Sequence, residues 1–335
     1  MKYPNWPLKL ALGMLLVLGC GALVAADKPA GTPILQFAGD HPLPGRATRW
    51  DYLSLDAPRA RLFIAHLGDS AVVVVDTKTK AVLATIAGIS DVHGILVIPE
   101  LGRVYASATG TNEVVAIDAA TLKIVARIPA GVYPDGMAYA PDTHKLYVSD
   151  EHGRTETVID VRSNQRVATI QLGGEVGNTQ YDPVSRHIFV NVQGTGELVE
   201  IDPATDTIIQ RTKLPGADSN HGLLIEPELR LAFIACEGND QLLVMNLASR
   251  KIVGRFDVGR GPDVLGYDAG LGQLFVASES GTVSRFKVER TRVKKVGDVM
   301  VGPNAHTLAV NPGTHEIYFP LQENRQSPVL RVMRP

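Results

Sequence analysis

Cysteine is nearly missing from this chain: two residues in 335, Cys20 and Cys236. A fold stapled by disulfides is excluded, so burial of apolar surface must hold the protein together. Charge excess is missing too, with 33 basic and 35 acidic residues giving a net charge of −2, so no whole-molecule field attracts nucleic acid. Aromatics are 6% of the chain, too sparse for a row of base-stacking rings. No phosphate loop, dinucleotide fingerprint, GxSxG elbow or CxxCH haem attachment occurs, which removes several enzyme classes. Past the first thirty residues no apolar run approaches the ~20 residues that span a bilayer.

What is present begins at the N-terminus. Lys2 and Lys9 precede the run LALGMLLVLGCGALVAA, with small residues at Val24-Ala25-Ala26. This is the pattern of a secretory leader, residues 1–26, cut after Ala26 to leave a mature chain of 27–335. The expected location is periplasmic, and the expected net charge after cleavage is −4, from 31 basic and 35 acidic residues. VLGC offers a competing lipoprotein signal with Cys20 lipidated, disfavoured by Leu18 and by the apolar ALVAA that follows. Cleavage leaves Cys236 as the single thiol, read as an inert buried group.

Self-comparison then decides the architecture. RLFIAH at Arg61 recurs as RVYASA at Arg103, KLYVSD at Lys145, HIFVNV at His187, LAFIAC at Leu231, QLFVAS at Gln273 and EIYFPL at Glu316. The spacings are 42, 42, 42, 44, 42 and 43, and all seven copies carry an aromatic at the third position. Each unit holds four strand-like pieces separated by turn signals, as in GILVIP, RVYASA, EVVAID and LKIVARI. Seven such units predict an all-β, seven-bladed β-propeller in one domain. PILQFAG precedes the first inner strand and is expected to complete the last blade, removing an open sheet edge. KLYVSDEHGRTETVID and RLFIAHLGDSAVVVVDTKTKAVLATI resemble the repeats of the YVTN-type propellers, especially the exported YncE-like group. That resemblance covers the mature chain and implies fold and compartment. It implies no catalytic residues, because this fold hosts many functions.

The position ten residues before each repeat start reads Asp51, His93, Asp135, Gly177, His221, Asp263 and His306. Six of these seven are titratable, at the head of each inner strand, where a propeller opens its central channel. His93 and His221 are each followed by glycine. Symmetric hairpins would place His221 opposite Cys236, Asp51 opposite His66, Asp135 opposite Asp150 and Asp263 opposite Ser278. Glu151, His152 and Glu237 stand in the adjoining loops, and His41 and Trp50 are candidates to wall the mouth.

Three readings of the ring compete. Its members satisfy backbone and neighbouring blades, as buried polar groups must. Or His93, His221 and His306, with Asp51, Asp135 and Asp263, hold copper or zinc. Or the mouth is a metal-free pocket with a histidine as general base. The function expected is a binding or accessory module for a small polar ligand or a protein partner. The alternatives are a metal-assisted lactonase or lyase and a pure interaction scaffold. The basic run RFKVERTRVKK reads as a charged edge strand, and a nucleic-acid partner is disfavoured.

Overall fold

The period of two in each repeat becomes seven antiparallel sheets of four strands in the computed structural model, which describes residues 33–290, 292–324 and 327–335. The expected leader and Cys20 lie outside the described residues. Residues Ile34–Pro335 form one compact unit. Among the described residues no helix is long and apolar enough to cross a membrane.

Blades 1 to 6 are built from consecutive strands, inner to outer, beginning at Leu53, Val92, Pro134, Val176, Asn220 and Pro262. Blade 7 takes its three inner strands from the C-terminus (Ala309–Asn311, Glu316–Asn324, Ser327–Arg334) and its outer strand from Gln36–Pro42. The pairing runs from Gln36 opposite Arg334 to Pro42 opposite Val329, and Arg331 grips Asp40 with bonds of 2.8 and 2.6 Å. The two ends of the chain thus close the ring as the repeat pattern requires.

Burial falls from the second strand outward. In Arg61–His66 every residue but the first is buried, whereas Lys251–Asp257, an outer strand, alternates exposed and half-buried positions. The core lies between blades rather than in the channel. One apolar cluster joins Phe63, Val72 and Val74 of blade 1 to Val104, Ala106 and Val115 of blade 2. The seven repeated aromatics are all 0% exposed, so their conservation of type across the units is packing. Three use a hydroxyl as well: Tyr105 donates to Asn164 at 3.1 Å and Tyr147 to Asp206 at 2.5 Å, each in the next blade, and Tyr318 to Glu316 at 2.8 Å.

The basic outer strands of blade 6 largely serve their own fold. Arg285 donates to the Ile34 carbonyl (2.6 Å), Lys287 to Leu271 (2.7 Å) and Lys295 to Asp257 (2.6 Å).

Candidate functional site

At the mouth, one local device is repeated. The residue two before the ring position is left-handed in five blades: Asp91 (φ 44°), Tyr133 (63°), Ser219 (49°), Gly261 (64°) and Asn304 (54°). In three of them its carbonyl accepts from the first residue after the second strand: Glu151 to Tyr133 (2.9 Å), Glu237 to Ser219 (3.0 Å) and Glu279 to Gly261 (2.7 Å). In those three blades this contact sets a glutamate at the mouth beside the ring residue.

The hairpin register at the head of the inner strand is shifted as well. Cys236 lies opposite Asn220, Asp150 opposite Pro134 and Ser278 opposite Pro262, with a bulge before pairing resumes. In blade 1 Asp51 and Tyr52 both bond to Ala65. The expected pairs His221–Cys236, Asp51–His66, Asp135–Asp150 and Asp263–Ser278 are therefore each displaced by one residue. A one-residue slip turns a side chain to the other face, so the ring residues point to the channel and their supposed partners do not join them. His66 stacks on Trp50 with ring centroids 3.7 Å apart and bonds to Thr48 at 3.0 Å. Asp150 is buried and accepts from Thr155, Thr157 and Gly131. Cys236 is buried in an apolar cluster, its thiol pushed up to about 11 by burial. His41 sits in the outer strand of blade 7 opposite Leu330, away from the mouth, and Trp50 is buried in the seam between blades 7 and 1.

The glycines after His93 and His221 have a steric reason. A Cβ on Gly94 would stand 2.0 Å from the Asp135 carbonyl oxygen, and one on Gly222 2.0 Å from that of Asp263. Each is the point where the next blade's backbone presses on the inner strand.

The mouth is a cavity of about 570 Å³ lined by Asp51, His93, Asp135, His221 and Asp263 of the expected ring, with Glu151 and Glu237 from the loops. It also holds Arg49, Tyr52, Asp91, Tyr133 and Glu279, which the spacing analysis did not single out. Seven carboxyl groups thus face one guanidinium.

The histidines of the expected ring and their neighbours fall into three groups, with His306 outside the residues that line the cavity. His306 is 1% exposed, and its Nδ1 lies 2.9 Å from the Asn304 carbonyl, so Nδ1 carries the proton and donates. In the neutral ring Nε2 is then the lone-pair acceptor, and it is buried without a hydrogen-bond partner. Donor atoms of His306, Asp263 and Glu279 all lie within 4.8 Å of one another. Glu279 also accepts from Arg49 (2.7 Å) and Asn304. Burial raises its carboxyl, but His306, Arg49 and Asn304 together hold it below its usual range. Arg49 stands 3.7 Å from Asp51.

The second group is His221, with Nε2 at 3.7 Å from Asp135 and 3.6 Å from Asp263. Burial pushes Asp135 up to about 7, opposed by His221 and reinforced by Asp51 and Glu151. Burial likewise lifts Asp263 well above the carboxylate range, opposed by His306.

In the third, the His93 Nδ1 donates to the Asp91 carbonyl (2.8 Å), and its Nε2 accepts from Tyr133 Oη (3.1 Å). Tyr133 packs on His152, an exposed rim residue, with ring centroids 4.3 Å apart. Burial, then Glu151 and Asp135, push the Tyr133 phenol up to about 12. Thus the structure gathers His306 with Asp263 and Glu279, and His221 with Asp135 and Asp263, while His93 pairs with Tyr133.

Glu279 had a legible signal. It follows the second strand of its blade as Glu151 and Glu237 follow theirs. Arg49 and Tyr133 had none: both stand two places before a ring residue, and that position holds a different residue type in every blade.

No protein-family model and no curated protein matches the chain. Solved structures do share its shape. A hydrazine synthase chain from Kuenenia stuttgartiensis aligns over 85% of this chain and 95% of its own, with TM-score 0.74 and 14% identity. The WD40 repeats of RRP9 align over 90% and 100%, with TM-score 0.76 and 12% identity. Virginiamycin B lyase from Staphylococcus aureus aligns over 89% and 99%, with TM-score 0.73 and 10% identity. At such identities the likeness is one of fold alone, the seven-bladed β-propeller.

Proposed function

We propose that this propeller is an exported, periplasmic binding module that captures a cation at its acidic mouth, with a divalent transition metal held by Asp263, Glu279 and His306. The observation that carries the reading is the buried, unpartnered Nε2 of His306, on a ring that has a donor atom within 4.8 Å of carboxylate oxygens of Asp263 and Glu279. Its tautomer is set by a backbone carbonyl, as the second nitrogen of a metal-ligating imidazole ordinarily is. A buried acceptor left empty costs about 1–3 kcal/mol, which a bound ion would recover. One imidazole and two carboxylates suit zinc or copper(II), and Cys236, shut in its blade, adds no thiolate. His221, Asp135 and Asp51 flank this set. The leader-like N-terminus and the likeness to the exported YncE-like propellers support the compartment. Elemental analysis of mature protein from periplasm tests the assignment. About one equivalent of metal is expected, lost in His306→Ala and Asp263→Asn variants that still fold. A protein that takes up no zinc or copper even on reconstitution overturns it.

A second reading, a metal-assisted lactonase or lyase, is favoured by one observation. Asp135, raised by burial towards the neutral range and 3.7 Å from His221, is suited to moving a proton in a cavity with room for an organic substrate. The metal would polarise a carbonyl oxygen there. Loss of turnover without loss of folding in His221→Ala would select this reading over simple binding.

A further inference from the structure

The carboxylates of the mouth divide by what neutralises them. On one side Arg49 donates to Glu279 at 2.7 Å and stands 3.7 Å from Asp51, so a guanidinium of the chain itself is seated there. Asp91, Asp135, Glu151 and Glu237 line the same cavity from blades 2, 3 and 5. Among the described residues none of these four forms an ion pair with lysine or arginine. Among the described residues the Glu151 carboxylate accepts from a neutral amide, that of Gln193, at 3.1 Å. Asp135 has His221 at 3.7 Å from one oxygen. Its other oxygen, Oδ1, is buried with no hydrogen-bond partner, on a residue 4% exposed that lines the cavity. An unmatched acceptor of this kind, in a cup of like charges, is a standing cost unless a donor arrives.

Beside these acids stands an aromatic wall. Tyr133 holds a left-handed backbone (φ 63°), uncommon for a bulky residue, and its ring lies 5.1 Å from His93 and 4.3 Å from His152. Its hydroxyl is committed to His93, and the residue lines the cavity. A cation near such a ring gains from the quadrupole as well as from the carboxylates.

We propose that this half of the mouth binds a small organic cation bearing N–H donors, a primary ammonium or a guanidinium, held by Asp135 and Glu151 against Tyr133. The unpartnered Asp135 Oδ1 calls for a hydrogen-bond donor, which excludes a quaternary ammonium as the best fit. The cavity, about 570 Å³, has the capacity of a small-molecule site rather than of a bare ion. Arg49 on the facing wall shows the same chemistry satisfied from within. The inference uses residues other than Asp263, Glu279 and His306 and does not rest on metal occupancy.

Calorimetric titration of the mature protein tests it, with butylammonium and butylguanidinium as probes and butanol and tetramethylammonium as controls. The titrations are run before and after chelator treatment. Both N–H cations are expected to bind, at least about tenfold tighter than either control, and to do so after metal removal as well. Asp135→Asn is expected to weaken them roughly ten- to hundredfold, and Tyr133→Leu roughly two- to fivefold. Glu151→Gln, at a half-buried position, provides a second acid variant should Asp135→Asn melt early. Absence of binding by both cations, equal affinity for butanol, or wild-type affinity in both acid variants would overturn the proposal. Metal-free protein that binds the amines would leave it standing while removing the metal assignment.

Discussion

Tyr52, from blade 1, donates its hydroxyl to Asn178 of blade 4 at 2.5 Å, crossing the channel beneath the mouth. Above this bar lies the acidic cup. Below it is a smaller space of about 190 Å³ walled by Leu53, Ile95, Met137, Leu223 and Leu308 among others. The bar fits because of its neighbours. The position after the ring is glycine in three blades (Gly94, Gly136 and Gly222), and a Cβ on Gly136 would come within 2.5 Å of the Asn178 side-chain oxygen. Burial, with Asp135, Asp263 and Asp51 nearby, raises the Tyr52 phenol well above its ordinary value, so it stays a donor.

Removing that donor should be felt in stability. Tyr52→Phe strands the Asn178 oxygen and is expected to cost about 1–2 kcal/mol in urea unfolding, with unchanged m-value. A loss near zero would mean that the bar is incidental to the fold.

The glycines that follow His93 and His221 should resist even the smallest addition. Gly94→Ala and Gly222→Ala each force a methyl against a backbone oxygen 2.0 Å away. Blade-to-blade contact must open, at a cost of about 1–3 kcal/mol or more, seen as a lower Tm. Unchanged melting in both would refute the close-contact account.

Glu156 is buried at the seam of blades 3 and 4, and burial lifts its carboxyl well above the usual range despite the Thr179 and Ser149 hydroxyls. A carboxyl raised on folding holds its proton in the native state after the unfolded chain has released it. Its contribution is therefore fully present below the unfolded value of about 4.3 and declines as pH rises towards the folded value, by up to about 1.4 kcal/mol per pH unit. Glu156→Gln removes that decline. The variant's Tm should exceed the wild type's near neutrality, and the gap should close towards about pH 4. A gap that widens in acid would reverse the assignment.

Metal uptake at the mouth should depend on pH with the opposite slope. Asp263 is raised by burial, so it must give up a proton before it can ligate. Zinc affinity is expected to rise with pH through the neutral range and to level off above the Asp263 value, with proton release detectable as buffer-dependent binding enthalpy. A flat profile would place the ion elsewhere.

The seven-unit period, the buried aromatic of each unit and the closing role of the residues near Gln36 were all legible in the chain, because each follows from a local pattern repeated in order. The ring was legible for the same reason, and so was the glutamate ring beside it, though only two of its members, Glu151 and Glu237, were picked out by position. The hairpin partners were not. A bulge at the head of the inner strand slips the pairing by one residue, which sends Cys236, Asp150 and His66 away from the mouth.

By itself the sequence determined the all-β propeller, its seven blades and the band of titratable residues at the channel mouth, since period and side-chain alternation act within one unit. Tertiary structure alone decided which members of that band meet: His306 with Asp263 and Glu279, His221 between Asp135 and Asp263, Tyr52 with Asn178. Tyr52 meets Asn178, and His221 meets Asp135, across blades that are not consecutive, whereas His306 meets Asp263 and Glu279 at the seam of neighbouring blades. Their distances depend on how seven sheets close around an axis, which no local spacing encodes.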